Sequence, residues 1–125
     1  MDTRIKYRWV EALRSGKYKQ TTGQLNKKDE GFCCLGVLCE IAVEDGVILR
    51  YPAGEDTGYG GEDTGYGFSD LMEFSVLPKA VQEWAGIDSS AGEFPEAGSK
   101  RSLISLNDDD HLSFAEIADV IEENF

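Results

Sequence analysis

FCCLGVLCEIAV, at residues 32–43, is apolar on nearly every side, and its only charged side chain is Glu40. A helix that is apolar around its whole circumference is normally buried on all sides. Gly36 lies within this run, and a glycine inside a helix lets another segment approach the backbone closely. We therefore predict that residues 32–43 form the central helix of the molecule and that the rest of the chain packs around it.

Three further helices are predicted from apolar residues that recur at helical spacing, at residues 4–15, 78–85 and 114–124. Pro78 suits the first position of the second of these helices, and Gly86 suits its C-terminal stop. Ser113 and Glu116 have the spacing of a capping box, which marks the start of the last helix.

Three β-prone runs predict a small antiparallel sheet, at residues 17–25, 47–51 and 102–106. With 125 residues, the chain can bury one hydrophobic core but is too short for two ordinary domains. We expect a single compact α+β domain that comprises residues 1–125.

The heptapeptide GEDTGYG occurs twice in succession, at residues 54–60 and 61–67. Two copies are too few for a solenoid, which needs about three repeats to bury a continuous core. Because the heptapeptide is rich in glycine and acidic residues, we expect residues 54–67 to form a flexible surface loop. The alternative is a mobile lid in which Tyr59 and Tyr66 close over a ligand.

Positive charge is concentrated at the front of the chain. Residues 1–30 carry a net charge of +4 and the other 95 residues carry −16, which gives the chain its net charge of −12. A strongly acidic protein repels duplex nucleic acid and anionic membranes at long range. Neither is therefore an expected partner, and the N-terminal region is the part of the chain best suited to hold an anion.

The segment RSGKYKQ, at residues 14–20, combines cations, a small-residue turn, an aromatic ring and an amide. If it is extended, Tyr18 and Gln20 lie on one face and Lys17 and Lys19 on the other. Such a set can neutralise phosphate, stack on a base and read its edge. The candidate ligand-binding residues are Arg14, Lys17, Tyr18, Lys19 and Gln20, together with Asn107 and Asp108 as hydrogen-bonding partners of a base or ribose. The alternative is an ordinary basic turn with Tyr18 packed on the core.

The three cysteines all fall within the central apolar run, which indicates reduced thiols in a cytosolic protein. At the start of a helix, the dipole and the exposed amides would lower the pKa of Cys33 or Cys34. With His111 as a base, oriented by Asn107 or Asp110, these cysteines could form a papain-like catalytic site. The alternative is that the thiols are inert and packed in the core.

No cofactor, metal site or membrane anchor is expected. The cysteines lack the paired spacing of a zinc site, and the acidic run at residues 107–110 lacks the glycine of an EF-hand loop. Glycine-rich nucleotide motifs and the serine-hydrolase elbow do not occur in the sequence. The charged N-terminal residues and the shortness of the apolar runs predict a cytoplasmic protein that is neither exported nor membrane-spanning.

Several segments are distinctive, namely WVEALRSGKY at residues 9–18, FCCLGVLC at 32–39, LPKAVQEWAG at 77–86, and SLND at 105–108 followed by FAEIA at 114–118. Together they resemble a family of small acidic proteins that is associated with bacteriophages and prophages. The resemblance covers most of the chain apart from residues 52–75 and 88–101, and it transfers no catalytic residues. It implies a viral or prophage origin, and small phage proteins of this kind are often inhibitors of host defence.

Three functions are expected from these patterns. The first is a non-enzymatic, phage-type protein that sequesters a small nucleotide-derived immune signal in the host cytoplasm, with a homo-oligomer interface completing its site. The second is an acidic inhibitor that binds a host defence protein. The third is a hydrolase or transferase that depends on the cysteine and histidine described above.

Overall fold

The computed structural model describes residues 1–51, 64–68 and 72–125, which form five helices and three antiparallel two-stranded sheets. The helices are α1 (Thr3–Arg14), α2 (Cys34–Glu44), α3 (Lys79–Ala85), α4 (Leu103–Asp108) and α5 (Phe114–Asn124). The strands are β1 (Asn26–Lys27), β2 (Gly31–Phe32), β3 (Leu49–Tyr51), β4 (Gly65–Gly67), β5 (Glu93–Glu96) and β6 (Ser99–Ser102). Strand β1 pairs with β2, β3 with β4, and β5 with β6. The predicted α+β class is confirmed.

The predicted central helix is α2, and eight of its eleven residues are buried. Gly36 shows how close its packing is, because a Cβ at this position would overlap the backbone carbonyl of Leu25. On another side, the buried Trp9 of α1 donates from its Nε1 to the carbonyl of Cys34 at 2.9 Å. Helix α1 also packs along α5, so it is held between α2 and the C-terminal helix.

The helix boundaries follow local sequence signals. Ser113 and Glu116 form the predicted capping box at the start of α5, in which each side chain bonds the other residue's backbone amide. Gly86 ends α3 in the left-handed conformation, with a φ of 75°. Pro78 differs from the prediction by one position, since it is the residue before the first helical residue of α3.

The strands do not form the single sheet predicted from residues 17–25, 47–51 and 102–106. Within the first run, Gln20 forms only an isolated bridge with Phe32, and the second run contributes the three-residue strand β3. The third prediction is wrong, because only Ser102 of that run lies in a strand. The Oγ of Ser102 accepts from the amide of Ser105 at 3.1 Å and caps α4. The local serine cap therefore outweighs the imperfect apolar alternation that suggested a strand.

The duplicated heptapeptide is described only in part, since residues 54–63, including Tyr59, lie outside the described residues. Residues 64–67 are buried and contain β4, so for them the expected flexible surface loop is wrong. Tyr66 is fully buried, and its hydroxyl donates to Glu40 Oε2 at 2.6 Å. Tyr66 is thus a core residue in this structure and no part of a lid.

The substitution Gly36→Ala is expected to destabilise the protein by about 3 kcal/mol, because the new methyl group would overlap the Leu25 carbonyl. The better helix propensity of alanine acts in the opposite direction and contributes only about 1 kcal/mol. A matched control is Gly16→Ala, whose Cβ would meet nothing within 4 Å and which costs about 1–2 kcal/mol of left-handed backbone strain. Urea unfolding measures both losses, and equal values would contradict the close packing at Gly36.

Candidate functional site

The seven residues predicted to bind a ligand do not form one site. Gln20, Asn107 and Asp108 lie together in a hydrogen-bonded network at the adjoining ends of α2, α4 and α5. The other four lie between residues 14 and 19, at the end of α1 and in the exposed segment that follows it.

Gln20 joins three parts of the chain through its side-chain amide. Its Nε2 donates to Asn107 Oδ1 at 2.9 Å and to the carbonyl of Leu112 at 2.8 Å. Its Oε1 accepts from the backbone amide of Phe114, the first residue of α5, at 3.1 Å. Gln20 therefore holds the start of α5 against the segment that follows α1.

Asn107 is 1% exposed and forms the other half of this network. Its Oδ1 accepts from the amide of Cys34 at 3.3 Å as well as from Gln20. Its Nδ2 donates to the carbonyl of Thr21 at 2.8 Å and to Asp108 Oδ1 at 2.9 Å. A carboxamide has two acceptor positions and two donor hydrogens, so the hydrogen-bonding capacity of Asn107 is filled within the protein.

An open concavity of about 250 Å³ borders this network. It is lined by Gln20, Thr21, Thr22, Asn107 and His111. Because both side-chain amide hydrogens of Gln20 and of Asn107 are bonded within the protein, neither amide has a hydrogen left to donate to a ligand in this concavity.

The segment after α1 alternates as predicted, since Lys17 and Lys19 are exposed whereas Tyr18 and Gln20 are half-buried. The ring of Tyr18 packs edge-on against Phe32, with the ring centroids 5.2 Å apart. Desolvation by burial is the main cause of the raised pKa of the Tyr18 phenol. This arrangement matches the alternative interpretation, a basic turn with Tyr18 packed on the core.

Arg14 is already paired with carboxylates, at 2.6 Å from Asp119 and in direct contact with Glu122. The hydrogen bond to Asp119 is the main cause of its raised pKa. Three other arginines are paired in the same way, Arg8 with Asp45, Arg50 with Glu40, and Arg101 with Glu96 and Asp110. The positive charge after α1 is therefore carried by the exposed Lys17 and Lys19 rather than by Arg14.

Tyr7, on α1, is 66% exposed, more than any other large apolar side chain among the described residues. It lies between two shallow concavities, of about 220 and 270 Å³. Both are lined by Tyr7 and Glu11. We call this surface the α1 face. Tyr7 and Glu11 lie in its middle, Arg14 and Glu122 lie on one side, and Lys17, Tyr18 and Glu44 lie on the other.

Sequence reasoning missed Tyr7, although a signal for it is present. The buried residues of α1 are Ile5, Trp9, Val10 and Leu13, and Tyr7 lies outside that stripe. An aromatic residue at this position departs from the pattern of an amphipathic helix, whose apolar residues face the core. The predicted basic segment nevertheless contributes Arg14, Lys17 and Tyr18 to the same face.

All three cysteine thiols are buried, and none forms a disulfide. Burial raises the pKa of Cys33 to about 11, although backbone amides at the start of α2 act to lower it. Burial also raises the pKa of Cys34 and of Cys39. The expected lowering of the thiol pKa is therefore wrong, because desolvation exceeds the favourable effect of the helix start. His111, the base that a papain-like site would need, is exposed.

Within residues 1–51, 64–68 and 72–125, no group of three or more His, Cys, Asp or Glu side chains could hold a metal ion. None of the described helices combines the length and the apolar character needed to cross a membrane.

A family model described as Domain of unknown function (DUF8296) matches residues 1–125. No curated protein matches the chain, and no solved structure matches it. The family match includes residues 52–75 and 88–101, which lie outside the segments that resemble phage proteins.

The folded protein is expected to resist alkylation by iodoacetamide at pH 7, because only thiolates react and the thiols are buried. For Cys33, the thiolate fraction rises only as the pH approaches about 11. An unfolded thiol ionises near pH 8.5, so stability decreases as the pH rises above about 8.5. Mass spectrometry counts the labelled cysteines, with urea-unfolded protein as the fully labelled control. Rapid labelling of the folded protein at pH 7 would contradict this account and favour the papain-like hypothesis.

The substitution Asn107→Asp is expected to destabilise the protein by about 2–3 kcal/mol, because a carboxylate oxygen would face the Thr21 carbonyl and Asp108 without a hydrogen to donate. The matched control is Asn124→Asp, at an exposed position where the side chain donates one hydrogen bond, to the Val120 carbonyl. This control is expected to cost less than about 1 kcal/mol. Urea unfolding at pH 7 measures both, and a small loss at position 107 would show that the network is not structural.

Proposed function

We propose that this chain, which belongs to the family described as Domain of unknown function (DUF8296), is a non-enzymatic protein that binds a basic surface of a partner protein through the α1 face. The observation that carries the proposal is Tyr7, a largely exposed aromatic side chain with a concavity on either side. Tyrosine is among the residues that most often dominate the binding energy of protein interfaces.

The overall acidity of the chain supports a basic partner. The two concavities beside Tyr7 carry charges of both signs, with Glu11, Glu44 and Glu122 against Lys6, Arg8, Arg14 and Lys17. Arg14 pairs with Glu122 and Arg8 lies 3.9 Å from Glu44, so these charges largely compensate each other. The net charge of −12 would also accelerate encounter with a positively charged protein.

Cavity size favours a protein over a small ligand at this face. Pockets that enclose a small molecule usually measure about 300–1,000 Å³ and bury most of the ligand's surface. The two concavities beside Tyr7 measure about 220 and 270 Å³ and are open to solvent. Shallow depressions of this size fit individual side chains of a partner better than a whole nucleotide.

Sequestration of a nucleotide-derived signal is the second candidate function. It is favoured by the exposed Lys17 and Lys19, which flank Tyr18 in the chain. A nucleotide would need a second copy of the protein to enclose it, because the concavity at Lys17 and Tyr18 is small. This candidate therefore requires a homo-oligomer.

A cytoplasmic location belongs to the same proposal. The three cysteines form no disulfide, as expected in a reducing compartment. In view of the resemblance to phage proteins, we propose a host defence protein as the partner class, encountered in the host cytoplasm.

Affinity capture with variant baits tests the protein-binding proposal. The baits are the unchanged chain, Tyr7→Ala, Glu11→Lys and the control Glu93→Lys, which alters an exposed residue of β5 outside the α1 face. We expect one basic protein to be retained, with affinity reduced about tenfold or more by either of the first two variants and by added salt. The control should bind like the unchanged chain.

Circular dichroism checks that the variants remain folded, as expected for substitutions at exposed positions. Equal retention by the unchanged chain and by Tyr7→Ala would contradict the proposal. Calorimetry with cyclic nucleotides and cyclic ADP-ribose isomers tests the second candidate separately. Heat of binding that is lost in Lys17→Ala would favour sequestration, and no heat at high micromolar concentration would exclude those ligands.

A further inference from the structure

Residues 64–67 include β4 and are buried, and we call the position that they occupy the β4 slot. A Cβ on Gly65 would overlap the Met72 side chain and would lie 2.9 Å from Phe74 Cε1, so a larger residue there would have to displace both side chains. Gly67 has a φ of 137°, a backbone conformation that again favours glycine. Between Gly65 and Gly67, the slot holds one large buried side chain.

That side chain is Tyr66, which is fully buried. Its hydroxyl donates to Glu40 Oε2 at 2.6 Å and accepts from Asn26 Nδ2 at 3.0 Å. Its backbone pairs with Arg50 of β3 on one side and with Glu73 on the other. The slot therefore favours a tyrosine with glycine on both sides.

The first copy of the heptapeptide contains the same four residues in the same order. Thr57-Gly58-Tyr59-Gly60 repeats Thr64-Gly65-Tyr66-Gly67, seven positions earlier in the chain. We propose that the two copies exchange in the β4 slot, so that Tyr59 replaces Tyr66 in an alternative folded arrangement with the same core contacts.

The lengths of the two connections give the two arrangements the same cost of loop closure. With Tyr66 in the slot, thirteen residues (52–64) connect β3 to β4, and six residues (67–72) connect Tyr66 to Glu73. With Tyr59 in the slot, six residues (52–57) precede the strand and thirteen (60–72) follow it. Since the entropy of closing a loop depends on its length, the two arrangements have the same total cost of closure.

The exchange transfers one acidic heptapeptide from one side of β4 to the other. In the described arrangement, the additional seven residues belong to the connection from β3; in the alternative, they belong to the connection to Glu73. The buried tyrosine and its bond to Glu40 are present in both arrangements. The duplication thus gives the fold two exchangeable registers at one strand.

Alanine substitutions in the full chain test the exchange, with Tyr59→Ala, Tyr66→Ala and the double variant compared by urea unfolding. If the two arrangements are equally populated, either single substitution removes one of two equivalent folded forms. The equilibrium constant for folding, which we call the folding constant, then falls only about twofold. The double variant removes the buried aromatic ring from both and lowers the constant about a hundredfold or more. A chain with one heptapeptide deleted is the matched control, in which substituting the remaining tyrosine alone should have the full effect.

The proposal is overturned if Tyr66→Ala lowers the folding constant as much as the double variant while Tyr59→Ala has no effect. A Tyr66→Ala chain that fails to fold would overturn the proposal as well. Fluorine NMR of the chain labelled with fluorotyrosine gives an independent measurement with milder substitutions. The resonance of the buried tyrosine should persist in Tyr66→Phe and in Tyr59→Phe and disappear only when both are replaced; its loss in Tyr66→Phe alone would exclude the exchange.

Discussion

The contact between Gly36 of α2 and the backbone of Leu25 is the constraint on which the rest of the structure depends. The Leu25 carbonyl lies where any side chain at position 36 would have to be, and it also accepts from the amide of Cys33 at 3.2 Å. The amide of Leu25 donates to the carbonyl of Phe74 at 2.7 Å. One buried residue therefore joins the start of α2 to the segment that follows β4. Because the contact is made by backbone, α2 can be enclosed on this side only if position 36 carries no side chain.

The polar residues near α2 are explained by a second requirement, that the amides at a buried helix start must be hydrogen-bonded. Cys33 precedes α2 but provides no side-chain cap, and Asn107 accepts from the amide of Cys34 instead. Gln20 likewise accepts from the amide of Phe114 at the start of α5. A ligand that competed for these side chains would leave buried amides without partners, at a cost of about 1–3 kcal/mol each. For this reason we assign recognition to the α1 face rather than to the polar network.

The features that could be predicted from the sequence are those specified by neighbouring residues. The apolar run from Phe32 to Val43 predicted α2, and the Ser113–Glu116 spacing predicted the start of α5, because the signals lie within each element. The bond between Gln20 and Asn107 joins residues 87 positions apart, and no spacing reveals that their amides face each other. The sequence pattern assigned both side chains to the base or ribose of a ligand, whereas in the structure they bond each other and the backbone. Arg14 was predicted to be free for phosphate for a similar reason, since its carboxylate partners lie on a helix 105 residues away.

We infer that α2 and the two side chains that cap the helix starts, Asn107 and Gln20, form the most stable part of the molecule. Amide hydrogen exchange of the intact chain measures this claim most directly. We predict that the amides of Cys34, Val37 and Phe114 exchange only through global unfolding, with the free energy obtained from urea unfolding, whereas those of the β5–β6 hairpin exchange through smaller openings. Exchange of Cys34 and Phe114 as fast as the hairpin would contradict the account, because it would show that Asn107 and Gln20 do not hold these helix starts.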